Sequence, residues 1–297
     1  MMLEADMANN FFEESLNPLG YYEATPKPTP QDLSNHYRLK YYQEANGTYS
    51  KEYLPEELRY FHNTAQVALE TARRLSLNET LYDLGCGEGF FTKSFHGFGW
   101  LVSCCDFSEY GISKHNPEML PFFKAGDIFQ SIVERSESGE HYGLINLQNV
   151  LEHVIDPEVL LCNLRCLLNE NSAIRIRVPN DYSKFQETLI ASGKTVNTWF
   201  SPPEHLSYFN KDGLTAIIEK CGYRVVSLQA DFPIEVFLTN NHSNYWRDRT
   251  LGKQAHLSRV FCENYLIENS LSGYIEYSEA AARLGFGRDL IAYVTIA

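Results

Sequence analysis

A glycine-rich loop after a predicted strand constrains the fold of this chain more than any other feature. The segment LYDLGCGEGFFT runs from Leu81 to Thr92 and holds Gly85, Gly87 and Gly89, directly after an apolar run that contains Asp83. Glycines at such a turn let a ligand approach the main chain, and the N-terminus of a following helix favours anionic groups. The loop therefore predicts a ligand site at one edge of a sheet.

The spacing of the glycines separates this loop from two common nucleotide-binding loops. A Rossmann dinucleotide loop reads GxGxxG, whereas here the glycines alternate and Phe90 stands where the third glycine would be. No Gly-Lys-Ser/Thr follows, which excludes a P-loop. The ligand is therefore of another kind than the usual dinucleotide or nucleoside triphosphate.

Strands and helices alternate after the loop. Strands are predicted at 79–84, 99–106, 121–127, 142–148, 172–180, 223–231 and 288–297. The clearest helix covers 157–169, with Asp156 as N-cap and Pro157 in its first turn, and another follows Asn210. This order predicts an α/β fold with a mostly parallel sheet, helices on both faces, and two final strands that pair locally.

The N-terminal part of the chain differs from the rest. Residues 1–57 are rich in tyrosine and contain the turn-rich segment ATPKPTPQDLS, which predicts an irregular or short-helical arm. A helix is expected from Glu56 to Leu75. We expect an arm or lid at 1–57 and one domain at 58–297. Inserts at about 181–210 and 240–284, the second predicted helical over 240–270, would form its acceptor side.

Composition excludes several classes of partner. The 297 residues carry a formal net charge of -13, which disfavours nucleic acid and anionic lipid. No apolar stretch reaches the roughly 18 residues of a membrane span, and the acidic N-terminus does not resemble a signal peptide. Seven cysteines without a CxxC pair favour reduced thiols and predict no metal site. We expect a cytoplasmic protein; its oligomeric state is left open.

Three carboxylates follow consecutive predicted strands. Asp83, Asp106 and Asp127 stand at the ends of the first three, where open α/β sheets bind their ligands. They would repel a pyrophosphate. They would tolerate a cationic ligand with a ribose and an adenine, whose diol a carboxylate after the second strand can bind.

Together these motifs resemble class I S-adenosylmethionine-dependent methyltransferases. The resemblance depends on LYDLGCGEGFFT, CCDFS, AGDI and YGLINLQNVLEHVIDP, and covers about residues 60–231 with a plausible last strand at the C-terminus. It implies a Rossmann-like seven-stranded sheet, mostly parallel with an antiparallel last strand. It also implies S-adenosylmethionine as cofactor and S-adenosylhomocysteine as product.

The resemblance further implies cofactor contacts at the ends of four strands. From the methionine to the adenine end these are Asp83 at the amino group, Gly85, Cys86, Gly87 and Gly89 under the methionine chain, Gln148 and Asn149 beside the sulfonium, Asp106 at the ribose hydroxyls, Phe107 against the adenine ring, and Asp127 and Ile128 at the adenine edge. Two positions depart from the usual pattern. Tyr142-Gly143 replaces a frequent Phe-Asp, and Asn149 replaces a frequent acidic residue.

The segment WFSPPEHLSYFN at 199–210 is the leading candidate for the acceptor side. It resembles PEHLSYF segments of a methyltransferase subgroup associated with sugar and polysaccharide modification. His205 is the candidate general base, and Glu204 either orients it or stays in solvent. His153 is a second candidate. Each histidine has an alternative role in holding its loop, and Glu152 is expected to cap or bridge locally.

Tyrosines supply the remaining candidate acceptor contacts. Tyr41, Tyr42, Tyr49 and Tyr208 can stack on a sugar or aromatic ring, or they only pack the arm and its neighbours. We therefore expect a small-molecule methyltransferase that methylates an oxygen of a sugar, sugar nucleotide or related intermediate. The alternatives are N-methylation of an amino sugar, methylation of a lipid or quinone precursor, and a silent S-adenosylmethionine-binding module that regulates a partner.

Overall fold

The computed structural model describes residues 11–33 and 52–297, and its elements follow the predicted alternation from residue 55 onward. The strands of these ranges are β1 (Glu13–Leu16), β2 (Tyr22–Thr25), β3 (Thr80–Leu84), β4 (Leu101–Asp106), β5 (Phe123–Ala125), β6 (Leu144–Gln148), β7 (Ala173–Pro179), β8 (Ser207–Tyr208), β9 (Tyr223–Ala230) and β10 (Asp289–Ile296). The α-helices are α1 (Pro55–Arg74), α2 (Phe90–Gly97), α3 (Tyr110–His115), α4 (Ile128–Glu137), α5 (Pro157–Leu164), α6 (Lys184–Ala191), α7 (Lys211–Lys220), α8 (Gly252–Asn269) and α9 (Leu271–Arg283).

The central sheet has the predicted topology. Its strand order is β5-β4-β3-β6-β7-β10-β9, and the pairs from β5 to β7 are parallel. The last strand, β10, runs antiparallel to both β7 and β9. The prediction of a Rossmann-like methyltransferase sheet is therefore confirmed, including the local pairing of the final two strands. The C-terminal ends of β3, β4, β5, β6 and β7 all reach one edge.

Helices cover both faces of this sheet, so its inner strands are buried on both sides. Leu81 of β3 packs with the helix α1 residues Ala65 and Ala68 on one face, while Tyr82 and Leu84 belong to the larger core on the other. Strands buried on both faces are usually almost continuously apolar, but β3 and β6 also carry buried polar side chains, Asp83 and Asn146. No helix within the described ranges is long and apolar enough to cross a bilayer.

The N-terminal arm departs from the prediction. Residues 13–25 are not irregular or short-helical but form a hairpin of β1 and β2, and β2 also pairs with β8 in a three-stranded sheet. Strands of four residues are too short to show a hydrophobic period, and the third strand lies far along the sequence. The small sheet joins the arm to the segment that precedes α7.

The second insert is helical only in part. Helix α8 begins at Gly252, whereas residues 240–248 form turns. The reason is the asparagine content of this stretch. The side-chain oxygen of Asn240 accepts a hydrogen bond from the amide of His242, and that of Asn244 accepts one from the amide of Trp246. Such local bonds compete with helix formation.

Steric contact explains why position 143 is a glycine. A Cβ atom added to Gly143 would lie 1.8 Å from the carbonyl oxygen of Asn78. The amide of Gly143 donates to the hydroxyl of Thr80 at 2.7 Å, which holds this close approach. The aspartate that often opens this strand in similar sequences would not fit here, which accounts for one of the two departures.

We expect Gly143→Ala to lower the free energy of unfolding by about 1–3 kcal/mol, because the added methyl group forces the backbone apart. Gly97→Ala is the matched control. Gly97 lies at the end of α2 with nothing within 4 Å of its added Cβ, so this variant should be as stable as the wild type. Urea unfolding monitored by circular dichroism measures both. Equal midpoints for the two variants would contradict the steric explanation.

Candidate functional site

A cavity of about 940 Å³ opens at the edge where the parallel strands end. The glycine loop after β3 forms one side of it, and the ends of β4 and β6 continue the wall. The described part of the arm also reaches it, since Pro30 and Leu33 line the cavity. The cavity therefore lies where the sequence predicts a ligand site.

Steric contacts explain why two positions of the loop are glycine. Gly85 and Gly89 have φ angles of +78° and +77°, which other residues rarely adopt. An added Cβ at Gly85 would lie 2.5 Å from Val150 Cγ2, and one at Gly89 would lie 2.9 Å from Ile112 Cγ1. The glycines let the loop pack tightly on the domain while its main chain faces the cavity.

Asp106 ties the loop to the neighbouring strand. Its carboxylate accepts hydrogen bonds from the amides of Gly87 at 2.9 Å and Ser108 at 3.2 Å. Burial raises the pKa of Asp106, although these amides partly oppose the shift. The two bonds use different oxygens, and each carboxylate oxygen has a second acceptor site. The side chain can thus orient the loop and still accept hydrogen bonds from a ribose diol.

Asp83 lies deeper and also lines the cavity. Its carboxylate accepts hydrogen bonds from the Thr92 hydroxyl at 2.6 Å and the Asn146 amide at 2.7 Å. Arg175 in turn donates to the side-chain oxygens of Asn146 at 2.6 Å and Gln148 at 3.1 Å. Burial raises the pKa of Asp83. The network fixes Gln148 beside the loop, where the resemblance implies the sulfonium.

The other end of the cavity has the features that an adenine needs. Phe107 is 44% exposed above the end of β4. Asp127 caps α4 by accepting bonds from the amides of Phe129 and Gln130 through one oxygen, and Ile128 lines the cavity beside it. With carboxylates toward the hydroxyl and amino groups and an aromatic ring toward the base, this donor set fits S-adenosylmethionine.

Cys86 and Asn149 complete the predicted contacts. Both line the cavity. Asn149 has a φ angle of +55° and its amide donates to the Arg177 carbonyl at 2.9 Å, which turns the chain at the end of β6. The structure thus brings together at one cavity every residue that the resemblance assigns to the cofactor.

The predicted acceptor residues come from two loops that meet. His153 and Glu204 line the cavity, and His153 Nδ1 lies 2.6 Å from the Glu204 carbonyl oxygen. The His205 ring packs edge-on against His153, with centroids 4.7 Å apart, and is not among the cavity-lining residues of the described part. Tyr208 is buried and its hydroxyl donates to the His205 carbonyl at 2.7 Å.

The other candidate tyrosines, Tyr41, Tyr42 and Tyr49, lie outside the described residues.

The sequence analysis missed a charged cluster that also lines the cavity. We call its four lining residues, Tyr60, Arg177, Arg259 and Asp289, the polar wall. Arg177 donates to Asp289 at 2.8 Å and to Asp231 at 3.0 Å, and Arg259 donates to Asp231 at 3.3 Å. The sequence does carry a signal for these charged partners: Arg175 and Arg177 stand at alternate positions of the otherwise apolar strand β7.

The ion pairs of the polar wall keep its charges in place. Burial would raise the pKa of Asp289, but the guanidinium groups of Arg177, Arg288 and Arg259 outweigh this effect and hold its pKa below the usual range. Burial likewise raises the pKa of Tyr60 to about 12, so its hydroxyl keeps its proton at neutral pH. The wall therefore presents fixed donors and acceptors.

Comparison with known proteins agrees with this geometry. A family model described as a methyltransferase domain matches residues 51–228. No curated protein matches the chain. The fold is similar to a SAM-dependent methyltransferase from Archaeoglobus fulgidus, at 19% identity over 78% of this chain and 93% of that chain, with a TM-score of 0.45.

Two further solved structures are similar. The CcbJ methyltransferase from Streptomyces caelestis is 12% identical over 80% of this chain and 89% of its own, with a TM-score of 0.47. The magnesium protoporphyrin IX methyltransferase from Synechocystis PCC 6803, with bound SAH, is 16% identical over 68% of this chain and 88% of its own, with a TM-score of 0.41.

We expect Asp106→Asn to weaken binding of S-adenosylhomocysteine about 10- to 100-fold. The variant loses the charged acceptor, and a hydrogen bond to a charged group contributes about 1.5–3 kcal/mol. Isothermal titration calorimetry measures the dissociation constant. Asp212→Asn, at an exposed carboxylate of α7, is the control and should bind as the wild type does. Unchanged binding by Asp106→Asn would remove Asp106 from the ribose site.

Proposed function

Because this chain belongs to the methyltransferase domain family and is an S-adenosylmethionine-dependent methyltransferase, we propose that it methylates an oxygen of a small, polyhydroxylated acceptor such as a sugar or sugar nucleotide. When bound, S-adenosylmethionine supplies an electrophilic methyl group on a sulfonium. The protein has to hold an acceptor oxygen against that methyl group, exclude water and take up a proton. Each task has candidate residues around the cavity.

The observation that carries the proposal is the composition of the polar wall. Two guanidinium groups and a carboxylate line the cavity, with a second carboxylate, Asp231, behind them. Arg177 and Arg259 face Asp231 and Asp289, although burial and the neighbouring Asp289 and Glu263 raise the pKa of Asp231. Guanidinium donors beside carboxylate acceptors complement hydroxyl groups, which both donate and accept hydrogen bonds.

The same wall argues against an apolar acceptor. A lipid or quinone precursor would leave the buried charges of Arg177 and Asp289 facing apolar atoms, and burying charged groups against apolar surface is unfavourable. Polar lining also gives orientation, because each hydroxyl of a sugar ring can meet a fixed partner. We therefore place the acceptor between the polar wall and the methyl group.

The proposed proton acceptor is the histidine pair His153 and His205. A hydroxyl must lose its proton as its oxygen forms the new bond to carbon, and histidine is the side chain best suited to accept it near neutral pH. The sequence favours His205, with His153 as the second candidate. Because His153 lines the cavity and His205 packs against its ring, the proposal now includes both, with His153 nearer the acceptor.

The acceptor itself is tested by a single-turnover assay with labelled S-adenosylmethionine and mass spectrometry of the products. Neutral sugars and sugar nucleotides should give O-methylated products. Amino sugars and polyprenylated quinone precursors serve as the competing acceptors. Methylation only at nitrogen, or only of the quinone precursors, would overturn the proposal. Tight cofactor binding without turnover of any acceptor class would favour the silent module.

We expect His153→Asn to lower kcat about 100- to 10,000-fold, the range for loss of a general base, while S-adenosylhomocysteine binds as before. Asparagine is chosen because its amide nitrogen can replace Nδ1 as donor to the Glu204 carbonyl. His141→Asn, at an exposed histidine before β6, is the control and should keep wild-type kcat. Wild-type kcat in His153→Asn would exclude the histidine from proton transfer.

A further inference from the structure

Three potential metal ligands meet beside the cavity although they are distant in sequence. Glu152 and His153 lie in the loop after β6, and His205 lies just before β8. One ligand atom of each lies within 4.8 Å of the others. His153 Nε2 and Glu152 Oε1 lie 3.9 Å apart. We call these three residues the Glu-His-His cluster.

The carboxylate of Glu152 is the unusual member of the cluster. Its residue is only 1% exposed, and neither oxygen has a hydrogen-bond partner among the residues that the structure describes. Glu152 bridges through its backbone carbonyl, which accepts hydrogen bonds from the amides of Leu206 at 2.8 Å and Ser207 at 3.1 Å, and not through hydrogen bonds of its carboxylate to the described residues. Buried carboxylates are normally hydrogen-bonded, paired or coordinated to a metal. Its geometry calls for a cation or a proton.

The His153 ring also has the orientation that metal-binding histidines adopt. A carbonyl oxygen can only accept, so the short contact between Nδ1 and the Glu204 carbonyl puts the hydrogen of the neutral ring on Nδ1. In that tautomer Nε2 presents a lone pair toward the Glu152 carboxylate. Histidines that bind metals usually donate their other ring nitrogen to a carbonyl or carboxylate in this way.

We propose that the Glu-His-His cluster binds a divalent transition-metal ion, with Zn²⁺ as the ion that suits it best. Two imidazoles and one carboxylate are a ligand set of Zn²⁺ sites that keep one coordination position open. His153 lines the cavity, so the open position faces the acceptor. With an ion bound, His153 and His205 would be its ligands and not proton acceptors; the ion would lower the pKa of an acceptor hydroxyl in the open position, and the proton would pass to solvent water.

This inference rests on the proposed function only for what occupies the open position. Ion binding itself depends on three side chains outside the cofactor contacts. It can therefore be tested without an acceptor and without turnover, and it would stand if the acceptor proved to be an amine.

The test uses the full-length protein, treated with a chelator and desalted. Zn²⁺ affinity is measured by competition with a chromophoric chelator, and Co²⁺ is added as a spectroscopic probe. One equivalent of each ion should bind, with Co²⁺ giving the visible absorption of a low-coordinate site. Glu152→Gln and His205→Asn should each weaken Zn²⁺ binding by at least the roughly 10- to 100-fold typical of outer-shell changes.

His141→Asn is the matched control and should bind Zn²⁺ as the wild type does, since His141 lies at the opposite edge of the sheet. S-adenosylhomocysteine binding is measured on every variant, so loss of folding is not mistaken for loss of the ion. If Glu152→Gln does not fold, His205→Asn decides alone. No stoichiometric binding by the wild type, or equal affinity in a folded His205→Asn variant, would overturn the proposal.

Discussion

The parallel pairing of β3 with both β4 and β6 is the constraint on which the site depends. Parallel neighbours end at the same edge, so the loop after β3 meets the ends of the strands on either side. The hydrogen bond from the Gly87 amide to Asp106 and that from Asn146 to Asp83 both cross between these strands. A different strand order would separate the same residues, and they would no longer line one cavity.

Much of the predicted cofactor site could be read from the sequence, because its residues lie in short contiguous motifs. The strand, the glycines and the following helix are contiguous; Asp106 ends the next strand, and Asp127 follows the strand after that. Their meeting follows from topology alone, so a single sequence sufficed. The need for glycine at 143 could not be predicted in the same way, because the clash involves the Asn78 carbonyl, which approaches only when β6 is in place beside β3.

The acceptor side was less predictable because its contacts are between distant segments. The absence of paired cysteines and closely spaced ligands led to a prediction of no metal site, yet Glu152 and His205 approach each other across two loops. The partners of Arg177 are Asp231 and Asp289, which follow β9 and begin β10. Only an arginine in a buried strand hinted that carboxylates had to be near, since buried charges need partners.

The small sheet of β1, β2 and β8 joins two segments that are distant in the sequence. The ammonium group of Lys27 donates to the carbonyl of Leu206 at 3.0 Å, and β2 pairs with the strand that follows His205. The N-terminal hairpin is therefore a structural part of the loop that carries His205. Exchanging the hairpin would change the support of this loop, while the strand ends from β3 to β6 that line the cavity would keep their positions.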